Sequence, residues 1–141
     1  MGDIHQPLHN ATLYNSEFPE GDRGGNRFKL HFANKVVSLH GVWDSAGGRF
    51  VDPIPSYRLD SYITWFQEDH PIESLAEKVS VLNVDKWSDE GFALSRSLVY
   101  TYLEPGGLLD NESLQEILDA SKLQITLAGY RLAKVLDQSL D

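Results

Sequence analysis

Hydrophobic positions change their spacing several times along this chain of 141 residues. Residues 1–9, "MGDIHQPLH", read as the end of a helix broken by Pro7, which lacks an N–H and crowds the carbonyl of Asp3. Residues 10–27 are rich in turn formers and predict a long surface loop. "RFKLHF" and "KVVSL" then alternate on either side of "ANK", the pattern of a short β-hairpin. "LHGVWDS" resumes as a helical turn that stops at Gly47-Gly48. After Pro53 and Pro55 the remaining pattern is helical. It predicts one helix over 59–68, a second over 71–82 with Pro71 at a favourable early position, and a third over 88–103 capped by Ser88 and weakened by Gly91. The last helix has the clearest signature. Asp110 or Asn111 caps it, and Leu114, Ile117, Leu118, Ser121, Ile125, Ala128, Leu132 and Val135 recur at helical spacing. No repeat, low-complexity tract or domain boundary interrupts the chain. One mainly α domain with one short hairpin is the expectation.

Composition narrows the chemistry. Without cysteine, thiolate metal sites, catalytic thiols and disulfides are excluded. A formal charge of −9, from 12 basic and 21 acidic residues, argues against holding nucleic acid through a wide basic surface, which needs Lys and Arg opposite phosphate. A phosphodiester substrate stays compatible if bound cations meet its charge. No apolar run approaches the 18 or more residues of a membrane span.

Four of the five histidines fall within the first 40 residues. His40 and Asp44 are four apart, so on a helix they share a face one turn apart, the geometry by which one helix offers two ligands to one ion. Neutral imidazole and carboxylate are both good zinc ligands, and His9 is the natural third. Taken alone, such a pair is more often a surface hydrogen bond or helix pair than a metal site, His9 serves equally well as a loop residue and Asp3 as a plain helix carboxylate. His31 and His70 are read as ordinary polar residues.

"GDIHQPLH", then "GGN", then "LHGVWDS" resembles, in that order, the zinc-dependent single-strand nucleases of the S1/P1 family. "WSDE…LVY" and "LAGYRLAKVLD" resemble that family's C-terminal helices. The resemblance implies a phospholipase C/P1 nuclease-like helical fold that holds three zinc ions and hydrolyses phosphodiester bonds in RNA and single-stranded DNA, and 3′-nucleotides as well. By the matched motifs it implies that His9, His40 and Asp44 form the protein ligand set of one zinc, and that Asp3 is a carboxylate shared between the other two. It implies that His5 orients a ligand rather than binding metal. Asn26 would shape the loop after the glycines, and Ser45 would lie where a nucleobase contact is open. Trp43, Tyr57, Trp65 and Trp87 are read as core.

The resemblance extends over the second half of the family's chain, so residues 1–141 are expected to be the C-terminal half of a single zinc-nuclease domain, with Met1 internal to a longer parent. At most one complete zinc site, weak zinc binding and little nuclease activity are then expected of the chain alone. Two other functions stand beside this one: a non-catalytic helical module that keeps one zinc, and a zinc phospholipase C-like hydrolase. "NAT" at Asn10 and "NES" at Asn111 are glycosylation sequons. With the family's secreted members they point to a secretory origin.

Overall fold

The computed structural model describes residues 1–50 and 53–140. In chain order the elements are α1 (Gly2–His5), a 3-10 turn (Pro7–His9), β1 (Lys29–Phe32), β2 (Lys35–Ser38), α2 (Leu39–Asp44), α3 (Leu59–Asp69), α4 (Ala76–Ser80), α5 (Val84–Leu94), a π turn (Ser95–Val99) and α6 (Asn111–Leu140). The fold is mainly helical with one antiparallel hairpin, as the pattern predicts.

The hairpin pairs Lys29 with Ser38 and Phe32 with Lys35. Its two turn residues, Ala33 and Asn34, both take positive φ (47° and 62°), the backbone twist that suits a two-residue hairpin loop. Along its outer edge, His31 N–H donates to the Gly107 carbonyl at 2.8 Å and its carbonyl accepts from Leu109 N–H at 2.9 Å, so residues 107–109 extend the ribbon. The hairpin turns directly into α2, capped by the Ser38 hydroxyl accepting from Gly41 N–H. That continuity carries His40 and Asp44.

The main core gathers Leu8, Phe28, Leu30, Leu39, Val42, Trp43, Val99, Leu109 and Ile117, so the 3-10 turn, hairpin, α2, π turn and α6 close on one another. A smaller cluster of Leu75, Val79 and Leu127 joins α4 to α6.

Several expectations need correction. Residues 10–27 carry no regular element, yet they are not a mere surface loop, because Phe18 and Asp22 are buried. The second predicted helix is split into a 3-10 turn, Ile72–Leu75, and α4, with Pro71 as the residue that precedes them. The third begins at Val84, not at Ser88. The Asn83 side chain accepts from Lys86 N–H at 3.1 Å and so caps it ahead of the expected Ser88. It ends in the π turn at Val99 rather than at Leu103. Gly91 is a close-approach site, since a Cβ there would come 2.4 Å from Asn10 Nδ2. In α6 the buried positions include Ile117, Ser121 and Ala128 as expected, but also Lys122, Thr126, Leu127 and Arg131, whereas Ile125 and Leu132 are exposed. Asp110 is the cap: its carboxylate accepts from Ser113 N–H at 2.8 Å, which holds the Asp110 carboxyl below its ordinary value. Of the four aromatics read as core, Trp43 and Trp87 are buried, Trp65 is half-buried and Tyr57 is 80% exposed.

Candidate metal centre

His9 arrives from a 3-10 turn whose start is fixed by Pro7, and His40 and Asp44 lie one turn apart on α2. The fold brings these three together, each offering one ligand atom within 4.8 Å of the others. His40 Nε2 lies 3.3 Å from Asp44 Oδ2, and His9 Nε2 lies 3.7 Å from Asp44 Oδ1. The two imidazoles stack at 5.1 Å with 14° between their planes. Asp3 lies on the other side of His9, its Oδ1 at 3.4 Å from His9 Nδ1, with its side chain 91% exposed. Asp3 is therefore adjacent to the trio through His9 and is not one of the three grouped donors.

Supporting contacts set the orientation of His40 and Asp44. His40 Nδ1 lies 2.7 Å from the Gly24 carbonyl. That oxygen can only accept, so Nδ1 carries the proton and Nε2 is left with its lone pair toward Asp44. The chain needs glycine for this. Gly24 has φ of 60° and a Cβ on it would meet the Leu8 carbonyl at 2.5 Å, while Gly25, with φ of 81°, passes close to the His40 amide. Gln6 is a residue that sequence reasoning missed. Its amide Nε2 donates to Asp44 Oδ1 at 3.0 Å, and its Oε1 accepts from Leu8 N–H. One side chain thus ties the Asp3–His9 segment to the carboxylate of α2. Its position inside "HQPLH", between two histidines, was the available signal.

The loop behind the glycines is held by Asp22, which is 0% exposed and accepts from Leu13 N–H (2.9 Å), Gly25 N–H (2.9 Å) and the Tyr100 hydroxyl (2.8 Å). Burial, followed by the hydrogen bond to the Asp22 carboxylate, pushes the Tyr100 phenol far above its ordinary value, so it stays a donor.

The other expected site residues have the following places. His5 is buried and lines the same cleft as His9 and Asp44 without being one of the three grouped donors. Its Nδ1 lies 3.0 Å from the Met1 carbonyl and its Nε2 lies 2.9 Å from Arg131 Nη1, with its ring against Trp87. Desolvation by burial lowers its pKa from the ordinary histidine value. Asn26 closes the glycine loop through Nδ2 to the Arg23 carbonyl at 3.0 Å. Ser45 Oγ lies 2.9 Å from the Gly41 carbonyl and accepts from Gly48 N–H at 3.1 Å, so it shapes the turn after α2. Beside the trio, a cleft of about 270 Å³ runs between α1, α2 and α6, lined by Asp3, His9, Trp43, Asp44, Ser121 and Ile125. Within it, Trp43 Nε1 and Ser121 Oγ are buried without a hydrogen-bond partner among the described residues.

A family model described as S1/P1 Nuclease matches residues 1–141. The chain belongs to the S1/P1 nuclease family. Among similar proteins, Endonuclease 2 of Arabidopsis thaliana is 24% identical over 148 residues, which cover 98% of this chain and 48% of that protein. Endonuclease 4 of the same plant is 26% identical, covering 98% and 47%. Endonuclease 3 is 50% identical over 44 residues, covering 31% and 13%. The chain spans about half the length of Endonucleases 2 and 4, the relatives matched along almost all of it.

Proposed function

We propose that this chain holds one zinc ion between His9, His40 and Asp44 and serves a metal-dependent phosphodiesterase acting on RNA, single-stranded DNA and 3′-nucleotides. The observation that carries the proposal is the convergence of two imidazoles and a carboxylate within 4.8 Å. That donor set fits zinc, which takes nitrogen and oxygen ligands and keeps a fourth position open in catalytic sites. A bound zinc there supplies Lewis acidity, meeting phosphate charge and making water nucleophilic at neutral pH. His40 keeps Nε2 available because Gly24 occupies Nδ1. Gln6 holds Asp44 in place through Oδ1, and Asp3, almost fully exposed, is free to serve a neighbouring ion. The acidic overall charge is compatible with a polyanionic substrate once cations are bound.

Among the described residues this is the one group of three such ligands within reach of a single ion. That observation also favours a second function, a helical module that keeps one zinc without catalysis, and it is why little nuclease activity is expected of these 141 residues alone. Zinc titration by calorimetry, paired with cleavage of single-stranded DNA, RNA and phosphatidylcholine, tests the assignment. Stoichiometric zinc binding lost in His40→Ala supports the site. Zinc binding that persists in His40→Ala and Asp44→Ala sinks it. Chelator-sensitive cleavage of single strands separates the nuclease from the inert module, and hydrolysis of phosphatidylcholine would move the assignment to a phospholipase.

A secretory route belongs to the same proposal, and the two sequons support it unequally. Asn111 is exposed at the first residue of α6. Asn10 donates Nδ2 to the Ile4 and Gln6 carbonyls and packs on Gly91, so the native fold leaves no room for a glycan there. Mass spectrometry of native material finding Asn111 bare would remove this support.

A further inference from the structure

Arg131, on α6, is fully buried and spends its whole guanidinium on four partners. Nη1 lies 2.9 Å from His5 Nε2 and 2.8 Å from Glu90 Oε2, Nη2 donates to Glu90 Oε1 at 2.9 Å and to the Lys78 carbonyl at 3.0 Å, and Nε faces the same carbonyl. The plane rests on Trp87, 5.3 Å from the ring centroid. The bidentate Glu90 carboxylate balances a charge that would otherwise be prohibitive in the interior. Arginine has donors only, so His5 Nε2 must accept, and the His5 proton sits on Nδ1, where it donates to the Met1 carbonyl.

His5 closes α1, which is a single turn of four residues without a side-chain cap. Such a turn does not hold its shape on its own. Two further contacts reach the same segment: Asn10 Nδ2 donates to the Ile4 and Gln6 carbonyls, and the Ser95 hydroxyl of the π turn donates to the Pro7 carbonyl at 2.8 Å. The Arg131 contact reaches α1 through its last residue, His5, which also holds the Met1 carbonyl, so it ties both ends of the turn that carries Asp3. We infer that Arg131 is a positioning residue for the metal centre: through His5 it fixes the turn from which Asp3 and His9 approach the His40–Asp44 face. The inference rests on the zinc site proposed above.

The test compares the chain with Arg131→Met, which keeps the aliphatic stem and removes every donor, and with His5→Ala, which breaks the link while leaving Arg131 its Glu90 and Lys78 partners. Two quantities are read. The first is amide hydrogen exchange of residues 2–9 in the metal-free chain, set against Ile117 and Leu127 in the core of α6. The second is zinc affinity by competition with a chromophoric chelator. Exchange over residues 2–9 is expected to rise about tenfold beyond any change in α6, and zinc affinity to fall about tenfold, the scale on which groups that orient metal ligands act. A merely structural role would move residues 2–9 and α6 together. If Arg131→Met fails to fold, His5→Ala decides alone. Unchanged relative exchange, or zinc affinity equal to wild type, overturns the inference. A wild-type chain that binds no zinc overturns the site itself, while the exchange data still decide whether Arg131 pins the turn.

Discussion

Around His9, His40 and Asp44, short pieces of backbone are held from several directions: a four-residue helix, a three-residue turn and a six-residue helix, each fixed by a side chain from elsewhere in the chain. Along α3, 11 residues with Leu59, Tyr62, Ile63, Trp65 and Phe66 bury none of their side chains fully. Its aromatic residues cluster with Phe50, and Arg49 lies over Tyr62 and Trp65. Lys122 of α6 sits over Trp65 and pairs with Asp69, whose carboxyl that hydrogen bond holds below its ordinary value. The contrast teaches that helical length and apolar content do not measure how firmly a segment is held. Side-chain ties to backbone atoms do more at the metal centre than helix formation does along α3.

The contrast can be broken by substitution, and the largest effect belongs to the core beneath the metal centre. Phe28 is 1% exposed, and Phe28→Ala should lower stability by about 3–5 kcal/mol in chemical denaturation. Asp22→Ala leaves two amides and the Tyr100 hydroxyl without an acceptor and should cost roughly 3 kcal/mol, with zinc affinity falling as the Gly24 carbonyl loses its place. Gln6→Leu should weaken zinc binding about tenfold by calorimetry and cost about 1 kcal/mol in denaturation, since it removes both the donor to Asp44 and the acceptor for Leu8 N–H. Tyr100→Phe should cost about 1 kcal/mol at neutral pH. Its folded pKa is raised, so its stabilisation is fully present below the unfolded value of about 10 and is lost as pH rises above it. Wild type should therefore lose stability above that pH more steeply than the variant. The smallest effect is expected on α3: Ile63 is 51% exposed, and Ile63→Ser should stay within about 0.5 kcal/mol. A cost near that of Phe28→Ala would show that α3 is packed as firmly as the metal centre and would end the comparison.

Much of this was legible in the residues. The hairpin, α2, α3 and the long α6 follow from period-2 and period-3.6 patterns, and the His40–Asp44 spacing places two donors on one face. What stayed hidden depends on contacts distant in sequence. The burial of Lys122 and Arg131 within α6 is invisible to an apolar stripe, because those cations are accommodated by Asp69, Trp65, Glu90 and His5 rather than by neighbours in the helix. The early start of α5 turned on a local choice, Asn83 over Ser88 as the cap. Gln6 escaped because an amide between two histidines gives no periodic signal, and its role appears only when α2 folds back onto it. His5 lies beside the ligands in sequence, but its two ring nitrogens are taken by Met1 and Arg131.

The contact between His5 and Arg131 spans 126 positions, and it sets an order of events during synthesis. His9 can meet His40 and Asp44 soon after the hairpin leaves the ribosome, whereas its anchoring turn waits for α6. Arg131 follows Asp44 by 87 positions, so at about 5–20 residues per second that interval is on the order of 4–17 s. The donor atoms of the proposed metal centre are thus made first and fixed last, and the nascent chain passes through a stage in which they are assembled on a turn that Asn10 holds but Arg131 does not yet anchor.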